Sequence, residues 1–217
     1  MAQLTFNFTA ACSYQSEDFV VTPSNQEAFS WVTQSTPWTQ NTLLLIGPQY
    51  SGKTHLATIF QKLFSAVFIS QKDLQIYQED FHSHETPFIL DSLDFQASEE
   101  PLLHLYNGCR EKQRQLLLTA ETHPAEWKIK LPDLASRLMA IPYTTIQSPD
   151  DALIRGILLK KFSDFQLSIS ETVLDYLLTH IERSYLGIQE TVHSLNEASL
   201  AEHKKITLPL VKKILNL

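Results

Sequence analysis

The chain has 217 residues, which is enough for one α/β domain and a small second domain. Its net charge of −7 argues against a protein that binds DNA over a broad surface, and its two cysteines, Cys12 and Cys109, imply neither a disulfide framework nor a cysteine-based metal site. No apolar run is long enough to span a membrane and no signal-peptide pattern is present, so we expect a cytoplasmic protein without membrane contact.

The first residues contain the hexapeptide QLTFNF, from Gln3 to Phe8. Its apolar side chains alternate, at Leu4, Phe6 and Phe8, which is compatible with an edge strand or with a tail that packs on the core. A glutamine followed by apolar anchors is also compatible with a peptide motif that inserts into a pocket on a partner protein. The residues alone leave both interpretations open.

An aromatic and aliphatic segment that includes Phe19 and Val20 precedes the first predicted helix. Ser24 and Glu27 form a capping-box pattern, which predicts a helix that starts near Asn25. In nucleotide-binding folds such a segment can cover the base, whereas the alternative is ordinary core packing. The residue types do not decide between the two.

A nucleotide phosphate site is predicted by the sequence GPQYSGKT, from Gly47 to Thr54, which fits G-x-x-x-x-G-K-[ST]. The apolar run at 42–46 before it predicts a buried parallel strand, and apolar residues follow at helical spacing as far as about Phe64. Strand, loop and helix together are the structural context in which this motif holds phosphate.

The residue types in this loop have separate physical tasks. Gly47 and Gly52 allow backbone conformations closed to other residues, and the N–H groups at the helix N-terminus bind anionic oxygens. Lys53 is expected to reach the terminal phosphates, and the Thr54 hydroxyl is expected to bind Mg²⁺. The loop residues predicted to bind the nucleotide are Gly47, Tyr50, Ser51, Gly52, Lys53 and Thr54.

A second part of the site is predicted at 87–91, where an apolar run ends in Asp91. A carboxylate at this point, downstream of a phosphate loop, typically holds the Mg²⁺ complex. Hydrolytic enzymes of this kind commonly place an acid at the next position to polarise water, but here it is Ser92, a poor base. Asp94 could compensate only if the backbone turned its side chain inward.

Apolar runs at 66–69, 116–119 and 143–146 bring the predicted strands to five. The strands alternate with helical patterns, which indicates a parallel sheet with helices on both faces. A polar group in the segment 120–124 could sense a terminal phosphate, or this segment could be a plain loop at the end of a strand.

Only helical patterns remain from residue 148 onward, and Pro149 is expected in the first helical position. This change of pattern marks a second, small domain. We therefore predict an N-terminal tail at 1–16, a nucleotide-binding α/β domain at 17–147 and an all-helical domain at 148–217.

Six segments of the chain together match one family. They are DFVVTPSNQEAF, GPQYSGKTH, FILDSLD, LLLTAETHP, LPDLASRL and EASLAEHKKITLPLVKKIL. With them the chain resembles the bacterial Hda proteins, of the alphaproteobacterial type, which are short relatives of the replication initiator DnaA within the AAA+ ATPases. The resemblance covers nearly the whole chain. It implies an α/β fold: an AAA+ P-loop NTPase core with a parallel five-stranded sheet, followed by a small C-terminal all-helical lid domain.

The resemblance also implies a function. Hda proteins are recruited to the DNA-loaded sliding clamp of DNA polymerase III, where they stimulate hydrolysis of DnaA-bound ATP and so negatively regulate the initiation of DNA replication. Arg137, in LPDLASRL, matches the arginine finger, which would act in trans on the nucleotide of DnaA. QLTFNF is similar to the family's clamp-binding hexapeptide, and its anchors would be Gln3, Leu4, Phe6 and Phe8.

A nucleotide, ADP or ATP with Mg²⁺, is implied as a ligand of this chain. Phe19 and Val20 would lie against the adenine, while Thr54 and Asp91 would hold the Mg²⁺ of the nucleotide. DnaA continues into a helix-turn-helix domain whereas this sequence stops at Leu217, so we expect no direct sequence-specific DNA binding. The sequence leaves open whether the chain forms a homodimer.

Two positions depart from the family pattern. Ser92 replaces the acid or amide that usually follows the Walker B aspartate, and the family's lid arginine should fall near Leu186, where this chain has none. Arg183 is nearby but, on a helix, would not face the same way. We therefore expect weak or absent intrinsic ATPase activity. The alternative function is a free-standing AAA+ ATPase that assists replication, such as a helicase loader, and a third is a scaffold with a vestigial phosphate loop.

Overall fold

The computed structural model describes residues 18–74, 86–93, 99–202 and 205–215. These residues form two compact units, an α/β unit at Val21–Ser148 and a helical unit made of 18–20 and 149–215. The hexapeptide with Gln3, Leu4, Phe6 and Phe8 lies outside the described residues, as does Asp94.

The α/β unit is built on one sheet whose five strands run parallel, as the sequence predicts. Its strand order is β2-β3-β4-β1-β5. The strands are β1 at Thr42–Ile46, β2 at Val67–Phe68, β3 at Phe88–Leu90, β4 at Leu116–Ala120 and β5 at Tyr143–Thr145.

The central strands are apolar because both faces of the sheet are covered. β1 and β4 are buried at every position, and they pair from Thr42 opposite Leu116 to Ile46 opposite Ala120. Leu44 belongs to a cluster that includes side chains of the third and fourth helices, while Leu43 alternates to the other face and is equally buried. This two-sided burial explains the continuous apolar runs in the sequence.

Within the described ranges, the α/β unit contains four α-helices. They are α1 at Gln26–Thr33, α2 at Lys53–Phe64, α3 at Glu99–Glu111 and α4 at Pro132–Met139. Cys109 of α3 is fully buried in the core, and burial raises the pKa of its thiol to about 12. This cysteine is therefore a core residue and not a reactive thiol.

The start of α1 differs from the predicted capping box. The N-cap residue is Asn25, not Ser24, and the helix has no side-chain cap hydrogen bond. Asn25 is buried and its Oδ1 accepts a hydrogen bond from the Thr22 backbone N–H at 2.9 Å. The Ser24 hydroxyl instead lies 2.8 Å from the Thr22 hydroxyl, so these side chains stabilise the turn before the helix.

The helical unit contains α5 at Asp151–Asp164, α6 at Glu171–His180, α7 at Tyr185–Glu202 and α8 at Leu208–Leu215. Contrary to the prediction, Pro149 does not occupy the first helical position. Asp150 is the N-cap of α5 and its side chain accepts from the Leu153 N–H at 2.8 Å. The unit has its own core of buried side chains from all four helices. Within the described ranges, no helix combines the length and apolarity needed to cross a bilayer.

Candidate functional site

The loop between β1 and α2 needs glycine at two positions. Gly52, the N-cap of α2, has φ of 96°, in the left-handed region where other residues are strained. A Cβ on Gly47 would lie 2.6 Å from Ser51 Oγ and 3.1 Å from Ile146 Cβ. The loop therefore folds tightly against itself and leads directly into the N-terminus of α2, whose first N–H groups lack partners within the helix.

Lys53 holds a positive charge in the centre of this loop. Its side chain is buried, and its ammonium group donates to the carbonyl oxygens of Gly47 at 2.8 Å and Pro48 at 2.9 Å. Burial lowers the pKa of Lys53, while the nearby charges of Glu121 and Asp91 act in the opposite direction. The sequence predicts that this lysine reaches phosphate, and its position inside the loop is compatible with that role.

Asp91 follows the last residue of β3 and is bonded through both carboxylate oxygens. Thr54 Oγ1, from the first turn of α2, donates to Oδ2 at 2.8 Å. Thr119 Oγ1, from β4, donates to Oδ1 at 2.5 Å. We call Thr54, Asp91 and Thr119 the Asp91 cluster. The two residues predicted to hold Mg²⁺, Thr54 and Asp91, are therefore in direct contact.

The groups around the loop fit a magnesium nucleotide. Ser51 Oγ is buried and, among the described residues, has no hydrogen-bond partner. This polar atom of the loop therefore lacks the hydrogen bond that a buried hydroxyl normally makes. Thr54 and Asp91 offer oxygen ligands, which Mg²⁺ prefers. No group of three or more His, Cys, Asp or Glu side chains in the described ranges could hold a metal ion, so Mg²⁺ here would also need phosphate oxygens.

Ser92, the residue after Asp91, has φ of 57° and an exposed side chain. Its backbone N–H donates to Thr119 Oγ1 at 2.7 Å. A serine hydroxyl is a poor base, so this position does not supply the group that activates water in hydrolytic relatives of this architecture.

Arg137 lies on the surface of α4. Its Nε donates to Asp133 Oδ1 at 2.9 Å, one helical turn earlier, and the two side chains are 30% and 55% exposed. The hydrogen bond that Arg137 donates to Asp133 raises the pKa of Arg137, so the guanidinium stays charged. Among the described residues, Nε is the guanidinium atom that makes this bond, and the side chain is partly exposed on α4.

The start of α4 is fixed by Glu99, which opens α3. The Glu99 carboxylate accepts from the backbone N–H of Lys130 at 2.9 Å and of Leu131 at 2.7 Å. Leu131 is the N-cap of α4, so this carboxylate determines where the helix that carries Arg137 begins. Glu99 cannot be identified from the sequence, because the contact joins segments that are distant in the chain.

Leu186 occupies the position where the family's lid arginine is expected. It lies in the first turn of α7 and is 43% exposed. Arg183 is not on a helix, contrary to the sequence interpretation. It lies in the turn before α7, where its guanidinium forms an exposed ion pair with Asp151. Arg183 therefore stabilises the junction between α5 and α7.

Phe19 and Val20 belong to the helical unit by their contacts. A Cβ on Gly156, in the middle of α5, would lie 2.9 Å from Val20 Cγ1, so a glycine is needed where this valine packs. Lys160 Nζ also donates to the Asp18 carbonyl oxygen at 3.2 Å. The segment 18–20 is thereby fixed on α5, and contact of Phe19 and Val20 with adenine stays a prediction.

Thr119 is the site residue that sequence reasoning missed. From the sequence LLLTA, Thr119 is predicted only to be the last residue of an apolar strand. The available signal was its polarity, because a hydroxyl within a buried strand needs a hydrogen-bond partner.

Known proteins resemble both units. The family model for the lid domain of Hda matches residues 151–215. An uncharacterized protein of Haemophilus influenzae is 29% identical over 79% of this chain and 80% of its own length. The chromosomal replication initiator DnaA of Aliarcobacter butzleri is 24% identical over 94% of this chain, which spans about half (52%) of that relative.

Solved structures show the same fold. Domain III of the Thermotoga maritima replication initiation protein DnaA superposes with a TM-score of 0.79, covering 94% of this chain and 95% of that chain at 17% identity. The α/β unit with its phosphate loop therefore has the AAA+ architecture. The helical unit is thus similar to the lid domain of Hda, and the chain as a whole is similar to DnaA in sequence and in fold.

Proposed function

We propose that this chain binds an adenine nucleotide, ADP or ATP with Mg²⁺, as a ligand that it does not rapidly turn over. The loop amides, Lys53 and the Asp91 cluster support binding, since they offer donors and a cation to phosphate and oxygen ligands to Mg²⁺. When bound, Mg²⁺ would neutralise charge on the phosphate oxygens. The exposed Ser92 supports slow turnover, because the position after Asp91 lacks a base.

We further propose that the chain is a regulator of replication initiation that stimulates hydrolysis of ATP bound to DnaA while it is tethered to the sliding clamp. The observation that carries this proposal is the contrast at Asp91–Ser92: Asp91 is bonded to Thr54 beside the phosphate loop, whereas the next position carries an exposed serine and not an acid. Such a protein is better suited to act on a partner's nucleotide than on its own.

Arg137 is the residue proposed to act on that partner. A guanidinium is always charged and offers donors in a planar fork, which suits the spread charge of a phosphoryl group in transfer. Partial exposure on α4 leaves it accessible to a second protein. The ion pair with Asp133 is an exposed contact between neighbouring turns, so exchanging it for phosphate oxygens would cost little.

Tethering to the clamp is assigned to the hexapeptide, with Gln3, Leu4, Phe6 and Phe8 as anchors. This part of the proposal rests on the sequence pattern alone, because the described residues begin at 18. Alternating apolar side chains after a glutamine provide the anchors that a pocket on a partner can accept.

The proposal is tested by reconstitution. DnaA loaded with labelled ATP is mixed with clamp on DNA and with the purified chain, and the conversion to ADP is followed. We expect rapid conversion only when all components are present. Replacement of both Gln3 and Leu4 by alanine should abolish the stimulation, whereas Asn7→Ala, between the anchors, should not.

Two outcomes would contradict the proposal. Stimulation that does not require the clamp, or that survives the Gln3 and Leu4 replacements, would remove the tethering role. Rapid ATP hydrolysis by the chain without DnaA would favour the free-standing ATPase and would show that Ser92 does not prevent turnover.

A further inference from the structure

Thr119 has an unusual position for a hydroxyl. It lies in the central strand β4 between apolar residues, and its side chain is fully buried. Removing a hydroxyl from water in such a place is unfavourable unless hydrogen bonds replace the lost ones. Thr119 Oγ1 makes two such bonds, and both go to the segment that follows β3.

These two bonds fix the direction of the hydroxyl. Oγ1 accepts the Ser92 N–H at 2.7 Å, so its own hydrogen must point elsewhere, and it donates to Asp91 Oδ1 at 2.5 Å. The carboxylate oxygen is the acceptor in this bond. The hydroxyl thus fixes the position of Asp91 Oδ1.

The sheet register places Thr119 beside this segment. β3 and β4 pair with Leu90 opposite Leu118, so the next residue of each strand, Asp91 and Thr119, are neighbours. The Leu93 N–H also donates to the Thr119 carbonyl oxygen at 2.9 Å. Thr119 therefore binds the segment 91–93 through both side chain and backbone, across the turn where Ser92 adopts a positive φ.

We propose that Thr119 is a positioning residue for the magnesium nucleotide. It holds one carboxylate oxygen of Asp91 and so directs the other oxygen toward Thr54 and the phosphate loop. This inference rests on the proposed nucleotide site and adds to it a residue that bonds to Asp91. Groups that orient a metal ligand in this way commonly change metal affinity by about 10- to 100-fold when removed.

The test compares Thr119→Val, which keeps the shape and removes the hydroxyl, with Thr119→Ser, which keeps the hydroxyl. A ribose-labelled fluorescent ADP analogue is titrated into each protein with Mg²⁺ and with EDTA. We expect Thr119→Val to weaken binding with Mg²⁺ by about 10- to 100-fold while binding in EDTA stays near wild type. Thr119→Ser should resemble wild type under both conditions.

A double-mutant comparison checks that Thr119 acts through Asp91. In an Asp91→Asn background, Thr119→Val should cause no further loss of the Mg²⁺-dependent affinity. Thermal unfolding of each variant is measured beside the titrations. Thr119→Cys, whose thiol is a weak donor, gives a second route if Thr119→Val does not fold, and it should also weaken binding with Mg²⁺.

The inference is overturned if Thr119→Val and Thr119→Cys bind the analogue with Mg²⁺ as wild type does, or if Thr119→Ser loses as much affinity as Thr119→Val. An equal loss in Mg²⁺ and EDTA would also overturn it, because the effect would then not involve Asp91 as a metal ligand. The wild-type titration separates this result from the proposed function: no binding of the analogue by wild type would refute the nucleotide site itself.

Discussion

The Asp91 cluster and the surface of α4 differ in how buried and how firmly bonded their side chains are, although both belong to the α/β unit. Thr119 is fully buried and Asp91 is bonded on both oxygens, whereas Arg137 is 30% exposed and pairs with Asp133, which is 55% exposed. The first arrangement is fixed before any ligand arrives. The second is held by one ion pair that water screens.

This difference fits the roles proposed for the two regions. A phosphate with Mg²⁺ has a fixed geometry, so preorganised groups bind it without further ordering. A partner protein presents its own surface, so an exposed side chain becomes ordered only when the two proteins meet. Substitutions in the Asp91 cluster should therefore change nucleotide affinity, while substitutions on α4 should change only the effect on the partner.

The sharpest test of this comparison is Arg137→Ala. We expect stimulation of DnaA-bound ATP hydrolysis to fall by about a thousandfold or more, since arginine fingers contribute on that scale. Nucleotide binding and thermal stability of the chain should stay near wild type, because the lost ion pair is exposed. Arg137→Lys should not restore activity, since an ammonium lacks the planar fork. Arg110→Ala, at an exposed arginine of α3, is the matched control.

Lys53→Met addresses the other region. It removes the buried ammonium while keeping most of the chain length, and we expect the affinity for ADP to fall by about 10- to 100-fold, the equivalent of losing hydrogen bonds to a charged group. Calorimetric titration measures this loss, and Lys62→Met, at the exposed end of the same helix, is the control. Unchanged ADP affinity in Lys53→Met would mean that the loop does not bind phosphate through this residue.

Ser92→Asp tests whether the serine after Asp91 accounts for the slow turnover proposed for this chain. Aspartate is tolerated at a positive φ better than most residues, so the turn should persist. We expect intrinsic ATP hydrolysis to rise by about tenfold, below the usual effect of a general base because no lid arginine stands at Leu186. Phosphate release by the isolated chain is the measurement. A rate equal to wild type would show that another feature limits turnover.

The smallest effect is expected for Glu99→Gln. Hydrogen bonds from the backbone N–H groups of Lys130 and Leu131 lower the pKa of Glu99 in the folded chain. Its contribution to stability is therefore present above the ordinary carboxyl pKa and is lost as the pH falls through the lowered folded value. Wild type should be slightly more stable than Glu99→Gln at neutral pH, and the difference should vanish in acid.

Denaturant unfolding from pH 7 downward measures this difference, and Glu100→Gln, at the exposed next position, is the control. A difference that is constant with pH would show that charge on Glu99 does not stabilise the start of α4.

The sequence predicted the features that depend on local pattern. The parallel sheet, the strand–loop–helix around Lys53 and the strand that ends at Asp91 all follow from apolar runs and one motif. The errors concern single residues at element ends: Asn25 replaces Ser24 as N-cap, and Pro149 precedes the first helical position. Several polar residues at such boundaries can cap a helix, and the surrounding fold selects one.

The contacts that the sequence could not predict are those between distant segments. Thr119 reaches Asp91 through the register of β3 and β4, and Glu99 reaches Leu131 through the packing of α3 beside the segment before α4. Likewise, the glycine at 156 is explained only by Val20, which packs against it. In each case the residue type is determined by a partner whose position is known only after folding.

The strand order has a consequence for how such a protein can diversify. β4 and β5 are not neighbours, because β1 lies between them, so the connection at 121–141 that contains α4 passes over β1 and is not itself a strand of the sheet. This connection can be exchanged with that of a relative while every strand pairing survives, provided that the buried Leu134 and Leu138 are kept. The connection that carries Arg137, proposed to act on a partner, can therefore vary while the proposed nucleotide site keeps the strands on which it is built.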